Sequence, residues 1–259
     1  MARIFITGSS DGIGQAAAKL LADQGHKVTL HARNADRAKQ AKAAVPGAEN
    51  VLVADISSIA ETKKLAAEAN KAGPFDCVVH NAGVGYQMGD RKTVDGLATV
   101  FAVNSLAPYI LTALMDRPKR LLYISSGLHT GGDDSLKDLA WTSGRSWSGF
   151  QAYSDSKLQN VLLSQAVARR WSDVQTRSLD PGWVKTKMGG SGAPGTTSAP
   201  SKALAAFAAG EHGIGAKSGL HLNPRGPTSA HPAASDTMKQ DRYLEICEQL
   251  SGVSLPVSK

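Results

Sequence analysis

Segments with strand character at 3–7, 27–31, 50–53, 77–80, 121–125 and 175–180, and a short seventh at 219–222, alternate with helical periodicity at 13–24, 35–44, 58–72, 93–113 and 151–171. This rhythm restricts the chain more than any other feature. A strand, a helix and a further strand close into a right-handed crossover, and repeated crossovers build a parallel sheet covered on both faces. The pattern predicts an α/β fold: one doubly wound domain spanning 1–259, with a mostly parallel seven-stranded sheet flanked by helices and a last amphipathic helix over 234–250. Ligands of such sheets bind beyond the carboxyl ends of the strands, so the loops there carry the chemistry.

Composition narrows the partners. With 42% apolar and 20% charged residues, the 259-residue chain is neither disordered nor fibrous. It has no run of about 18 apolar residues, so no membrane insertion is expected, and strand character from Arg3 onward leaves no room for a signal peptide, which points to a cytoplasmic protein. Two cysteines, Cys77 and Cys247, without metal-ligand spacing, exclude a disulfide framework or a structural zinc, and no metal site is expected. The formal charge of +7 comes from scattered Lys and Arg, which reads as a solvated surface and not a nucleic-acid footprint. Residues 189–201 hold four glycines, two prolines and five Ser or Thr, the composition of a flexible loop, and are read as a lid over the sheet edge.

The first strand ends in Thr7-Gly8-Ser9-Ser10-Asp11-Gly12-Ile13-Gly14 and a helix follows at once. Glycines here let the backbone turn tightly and approach a pyrophosphate, whose charge the helix N-terminus receives. Asp11 is placed to cap that helix. A Rossmann-type dinucleotide fold is implied. The second strand ends in His31-Ala32-Arg33-Asn34, with an arginine where an acid would take the ribose hydroxyls of NAD(H), so Arg33 favours NADP(H). Tyr153-Ser154-Asp155-Ser156-Lys157 sets a phenol and an ammonium one helical turn apart, and the cation should lower the phenol's pKa.

With these motifs the chain resembles the short-chain dehydrogenase/reductase family over about residues 2–188. Thr7 to Gly14 is similar to its glycine motif, Asn81-Ala82-Gly83 to its strand-four motif, and Asn104 to its helix-four asparagine. Ser126 matches its serine, Tyr153 and Lys157 its Tyr-x-x-x-Lys, and Pro181-Gly182 with Thr186 its Pro-Gly-x-x-x-Thr segment. The resemblance implies hydride transfer between a nicotinamide and a small-molecule carbonyl or alcohol. In it Tyr153 would protonate the carbonyl oxygen, Ser126 would hydrogen-bond that oxygen, Lys157 would hold the nicotinamide ribose, and Asn104 would fix a proton-relaying water. Asp55 would meet the adenine amino group, Asn81 and Gly83 would line the adenosine side, and Thr186 would bind the carboxamide. With Gly8, Ser10, Asp11, Gly12, Ile13, Gly14, Arg33, Ile56, Ala82, Pro181, Gly182 and Val184, these make up the expected cofactor-binding set. Ser125 competes with Ser126 for the serine role.

The interval from Ser126 to Tyr153 is 27 residues, about twice that of the simplest members, and holds Trp141, Arg145, Trp147 and Phe150. It resembles the retinol-dehydrogenase-like and WW-domain-oxidoreductase-like branch. The rings either enter the cleft, suiting a lipophilic carbonyl substrate, or pack the insertion onto the body. Neither His80 nor His129 has a carboxylate partner visible in the sequence, and neither is assigned acid–base work. Both a monomer and a homodimer are compatible with the sequence. The implied activity is an NADP(H)-dependent oxidoreductase, and the alternative is an inactive NADP-binding redox sensor.

Overall fold

The strands are short because each needs only to cross the sheet once. In the computed structural model, which describes residues 1–211 and 217–257, they are β1 (Arg3–Ile6), β2 (Lys27–Ala32), β3 (Asn50–Val53), β4 (Cys77–His80), β5 (Arg120–Ile124), β6 (Gln175–Leu179), β7 (Leu220–Asn223) and β8 (Gly226–Pro227). They form one sheet in the order β3-β2-β1-β4-β5-β6-β7-β8. All neighbours are parallel except β7 and β8, where Leu222 faces Pro227. The sheet thus has eight strands where seven were expected, because the chain turns back at Arg225 and adds a two-residue edge that carries no apolar period of its own.

Side chains alternate between faces as a pleat requires. Phe5, Val78, Leu121 and Tyr123 join one core with α3 (Ile59–Ala72), α5 (Ala107–Leu114), α6 (Gly149–Arg170) and α8 (Thr237–Ser251). Ile4, Ile6, Val79, Leu122 and Ile124 join the other with α1 (Gly12–Asp23), α2 (Ala35–Ala44) and α7 (Ser198–Ala209). Helix starts follow the side chains able to satisfy their first N–H groups: Asn34 caps α2, Ser58 caps α3, Ser148 caps α6 and Asp236 caps α8.

Three expected boundaries shift. The helix expected at 93–113 starts only at α4 (Thr99–Phe101), because Thr93 accepts from the N–H groups of Asp95 and Leu97 and Gly96 turns with a positive φ of 77°. Between α4 and α5 the ladder loosens into a π-helical turn, Ala102–Leu106. The loop expected at 189–201 ends early, since 198–201 already belong to α7; Pro200 is tolerated there because the first turn of a helix has no internal use for its N–H. Finally, α8 begins at Thr237, after a short 3₁₀ turn, Pro232–Ser235, rather than at 234. No helix among the described residues is long and apolar enough to cross a membrane.

Candidate active site

The carboxyl ends of β1, β2, β4, β5 and β6 converge on a cavity of about 740 Å³. Its lining brings together Gly8, Ser10, Asp11, Gly12, Ile13, Arg33, Asp55, Ile56, Asn81, Ala82, Gly83, Tyr153, Lys157, Pro181 and Thr186. Five of the expected residues do not line it. Gly14, Asn104 and Val184 are buried, Gly182 is exposed in a turn with φ of 77°, and Ser126 is half-buried at its edge.

The glycine loop is shaped by collisions it avoids. A Cβ on Gly8 would lie 2.6 Å from the Ala82 Cα, and one on Gly14 would lie 2.3 Å from Asn81 Nδ2. Asn81 Nδ2 donates to the Thr7 and Gly8 carbonyls at 3.0 Å each, and Thr7 Oγ1 accepts from the Asn81 and Ala82 N–H groups. Asn81 therefore fastens β4 to the loop. His31, which sequence reasoning passed over, does the same from β2: its Nδ1 accepts from Gly8 N–H at 3.0 Å and its Nε2 faces the Ala54 carbonyl at 3.0 Å. Burial lowers its pKa and keeps the ring neutral, as both contacts demand.

Asp11 does not cap α1. Its carboxylate is bound by the Arg37 guanidinium and lies 3.3 Å from Lys187 Nζ, two cations that outcompete a neutral N–H for it. The first turn of α1 is left without a side-chain cap and lies at the cavity wall, an arrangement that fits a pyrophosphate. Arg37 also donates to Ser10 Oγ at 3.0 Å, so two arginines, the exposed Arg33 and the half-buried Arg37, stand where β2 ends. Arg37 carried a signal that went unused: it lies three residues after the Asn34 cap, on the first turn of α2, which faces back toward the loop. Asp55 accepts from Ser57 N–H at 3.0 Å on the same side of the cavity.

At the other end, Lys157 is fully buried, donates to the Ile124 carbonyl at 3.0 Å, and has its Nζ 5.4 Å from the Tyr153 ring centre. Burial pushes its ammonium down to about 8, with the Asp180 carboxylate acting the other way. Burial likewise pushes the Tyr153 phenol up to about 12, against the Ser126 hydroxyl that partners it. In the protein alone, desolvation thus outweighs the lowering expected from Lys157, and Tyr153 is held as an acid. Ser125 Oγ is spent on the Lys157 carbonyl at 2.9 Å, which leaves Ser126 as the serine at the phenol. Asn104, inside the π-helical turn, uses its amide on Val84 N–H, the Val84 carbonyl and Ser156 Oγ. Thr186 Oγ1 accepts from Gly189 N–H at 2.9 Å, and its methyl lies against Gly12.

The insertion divides between both expectations. Trp141 and Trp147 meet edge to face at 5.1 Å, with Arg145 over Trp141 at 3.9 Å, and pack onto the body. Phe150 instead stays exposed beside Tyr86, whose ring meets Tyr153 edge-on at 6.2 Å. Met188 reaches over the phenol, its Sδ 3.8 Å from the Tyr153 hydroxyl. Tyr86 could not be placed here from spacing, since tertiary packing alone brings it in. His80 is a core residue, stacked on Tyr123 and pushed down to about 3 by burial.

Comparison with known proteins shows the family. Residues 2–119 match the family model described as short chain dehydrogenase. An uncharacterized oxidoreductase of Emericella nidulans is 55% identical over 99% of both chains. Retinol dehydrogenase 14 of Homo sapiens is 30% identical, over 72% of this chain and 62% of that one, in keeping with the branch that the insertion resembles. The crystal structure of an uncharacterized protein from Mycobacterium Paratuberculosis superposes with a TM-score of 0.84 at 25% identity, over 99% of this chain and 96% of that one.

Proposed function

The chain belongs to the short chain dehydrogenase family, and within it we propose an NADP(H)-dependent oxidoreductase that interconverts a lipophilic ketone or aldehyde and its alcohol. The observation that carries this reading is the Tyr153 phenol, held protonated at the edge of the cavity between Ser126 and Lys157, and flanked by exposed rings. Glycine positions that a Cβ would fill, with an uncapped helix N-terminus beside them, fit a dinucleotide. Gly8, Gly12 and the first turn of α1 would hold its pyrophosphate, Asp55 and Ile56 its adenine, and Arg33 with Arg37 its 2′-phosphate. The nicotinamide, when bound, supplies or accepts the hydride.

The chain's own residues do the rest. Ser126 and Tyr153 receive the carbonyl oxygen, and in reduction the phenol gives it a proton. Lys157, whose Nζ lies 5.4 Å from the ring centre, offsets the negative charge left on the phenol. Tyr86, Phe150 and Trp183, exposed by 45%, 55% and 62%, offer an apolar rim to the rest of the substrate. The segment from 189 to the start of α7 is read as a lid over this rim.

Purified protein incubated with NADPH and a panel of aryl and alkyl ketones and aldehydes tests the reading. Oxidation of NADPH with at least one of them, lost in Tyr153→Phe, is expected. NADPH binding with no turnover of any carbonyl would move the balance to a redox sensor.

A further inference from the structure

His129 lies in the 3₁₀ turn Gly127–Gly131 that follows Ser126, and it is buried. Its Nε2 accepts from the backbone N–H of His231 at 3.1 Å. A backbone N–H only donates, so Nε2 carries no hydrogen, and the hydrogen of the neutral ring is on Nδ1. There it donates to the Ser126 carbonyl at 2.7 Å, which also accepts from the His129 N–H at 3.0 Å. Both ring nitrogens are thus spent on main chain, one three residues away and the other 102.

Burial among its neighbours holds the ring in that form, with the Asp180 carboxylate acting the other way. The His221 ring, buried on β7 with Nδ1 at 2.8 Å from Ser178 Oγ, is tilted against it at 4.6 Å. From the end of β6 the Asp180 carboxylate comes up under the turn, 3.2 Å from where a Cβ on Gly127 would be. Burial lowers the pKa of His129 and takes His221 to about 4, so neither ring is charged at neutral pH.

We propose that His129 is a positioning residue: as the neutral Nδ1–H tautomer it ties the Ser126 turn to the His231 segment that leads into α8. The proposal rests on Ser126 being the serine of the reaction. Leu128 N–H meets Ser126 Oγ at 3.2 Å, so the turn orients the hydroxyl from one side and His129 anchors its main chain from the other. A displacement of about 1 Å at such a group costs up to about a hundredfold in rate.

The test is a double-mutant cycle on NADPH-dependent carbonyl reduction. His129→Leu should lower kcat about tenfold with KM for NADPH and for the carbonyl within about twofold, and it should cost nothing further in a Ser126→Ala background. Should His129→Leu fail to fold, His231→Pro removes the same hydrogen bond from the other side, at a φ of −54° that proline accepts. It should lower kcat about threefold, again only when Ser126 is present. Losses that multiply fully with Ser126→Ala, or wild-type kcat in His231→Pro, would overturn the proposal. Full activity of Ser126→Ala alone would instead remove the reading on which it rests.

Discussion

The two walls of the cleft are built differently. On the glycine-loop wall, Gly8 N–H, the Thr7 and Gly8 carbonyls and the Asn81 amide all have partners within the chain, and added methyl groups would strike backbone or side chain. On the wall formed by the β6–α7 loop and the start of α6, Gly189 and Gly195 pack against the Val184 and Trp183 carbonyls, but Gly190 and Gly192 face open space, and Trp183 and Phe150 stay exposed. The first wall is pre-organised around a group whose geometry does not vary. The second leaves apolar area unburied, as a site does when a substrate completes it.

Five substitutions sharpen or break this contrast. Tyr153→Phe should lower kcat about a thousandfold, within the range for loss of a positioned general acid, with NADPH affinity nearly unchanged. A variant that kept a tenth of the parent's kcat would mean that the phenol is misassigned. The glycines come next: Gly8→Ala should weaken NADPH binding about a hundredfold, since an Ala methyl meets the Ala82 Cα at 2.6 Å and φ is 61°, while Gly192→Ala should leave binding as it was. Equal effects in a fluorescence titration would erase the difference between the walls.

Lys157 ties stability to function. Its folded pKa, about 8, lies below the ordinary 10.5, so the folded state gives up this proton first. The charged buried ammonium therefore costs stability below pH 8, and the cost shrinks as pH rises from 8 to 10.5. Lys157→Met should raise Tm at pH 7 by about 2–4 °C, the shift that about 1 kcal/mol gives a chain of this size, while activity collapses. For the parent, kcat for reduction should fall severalfold between pH 7 and 9 as that charge is lost, with Tyr153, at about 12, still protonated. A flat profile would show that the ammonium does not assist the phenol. Smallest is Asp11→Asn. Freed from Asp11, Arg37 and Lys187 should bind NADPH about two- to fivefold more tightly, as suits loss of partly exposed ion pairs, with NADH unaffected.

The same contrast governs what the sequence could tell. The sheet, its parallel sense and the glycine loop were legible because pleat, crossover and phosphate turn each impose a local pattern. Tyr153 and Lys157 were legible as a pair one turn apart, and the rest of the reading at those positions came with the family resemblance. Arg37, His31 and Tyr86 were not, because each reaches the site from another element. Asp11 was read as a cap since local sequence cannot show that Arg37 and Lys187 converge on it. The two-residue strand β8 and the late start of α4 were missed for a related reason: one has too few residues for a period, and the other is set by the Thr93 hydroxyl and Gly96.

The proposed function joins an NADP(H) site at the end of β2 to carbonyl chemistry at Tyr153. Fluorescence titration of the purified protein with NADPH and NADH in parallel tests its first half directly. Charge-assisted bonds of about 1.5–3 kcal/mol from Arg33 and Arg37 predict NADPH binding at least about tenfold tighter, with the preference removed by replacing both arginines with alanine. Equal or tighter binding of NADH, or a preference that survives that double substitution, would contradict it.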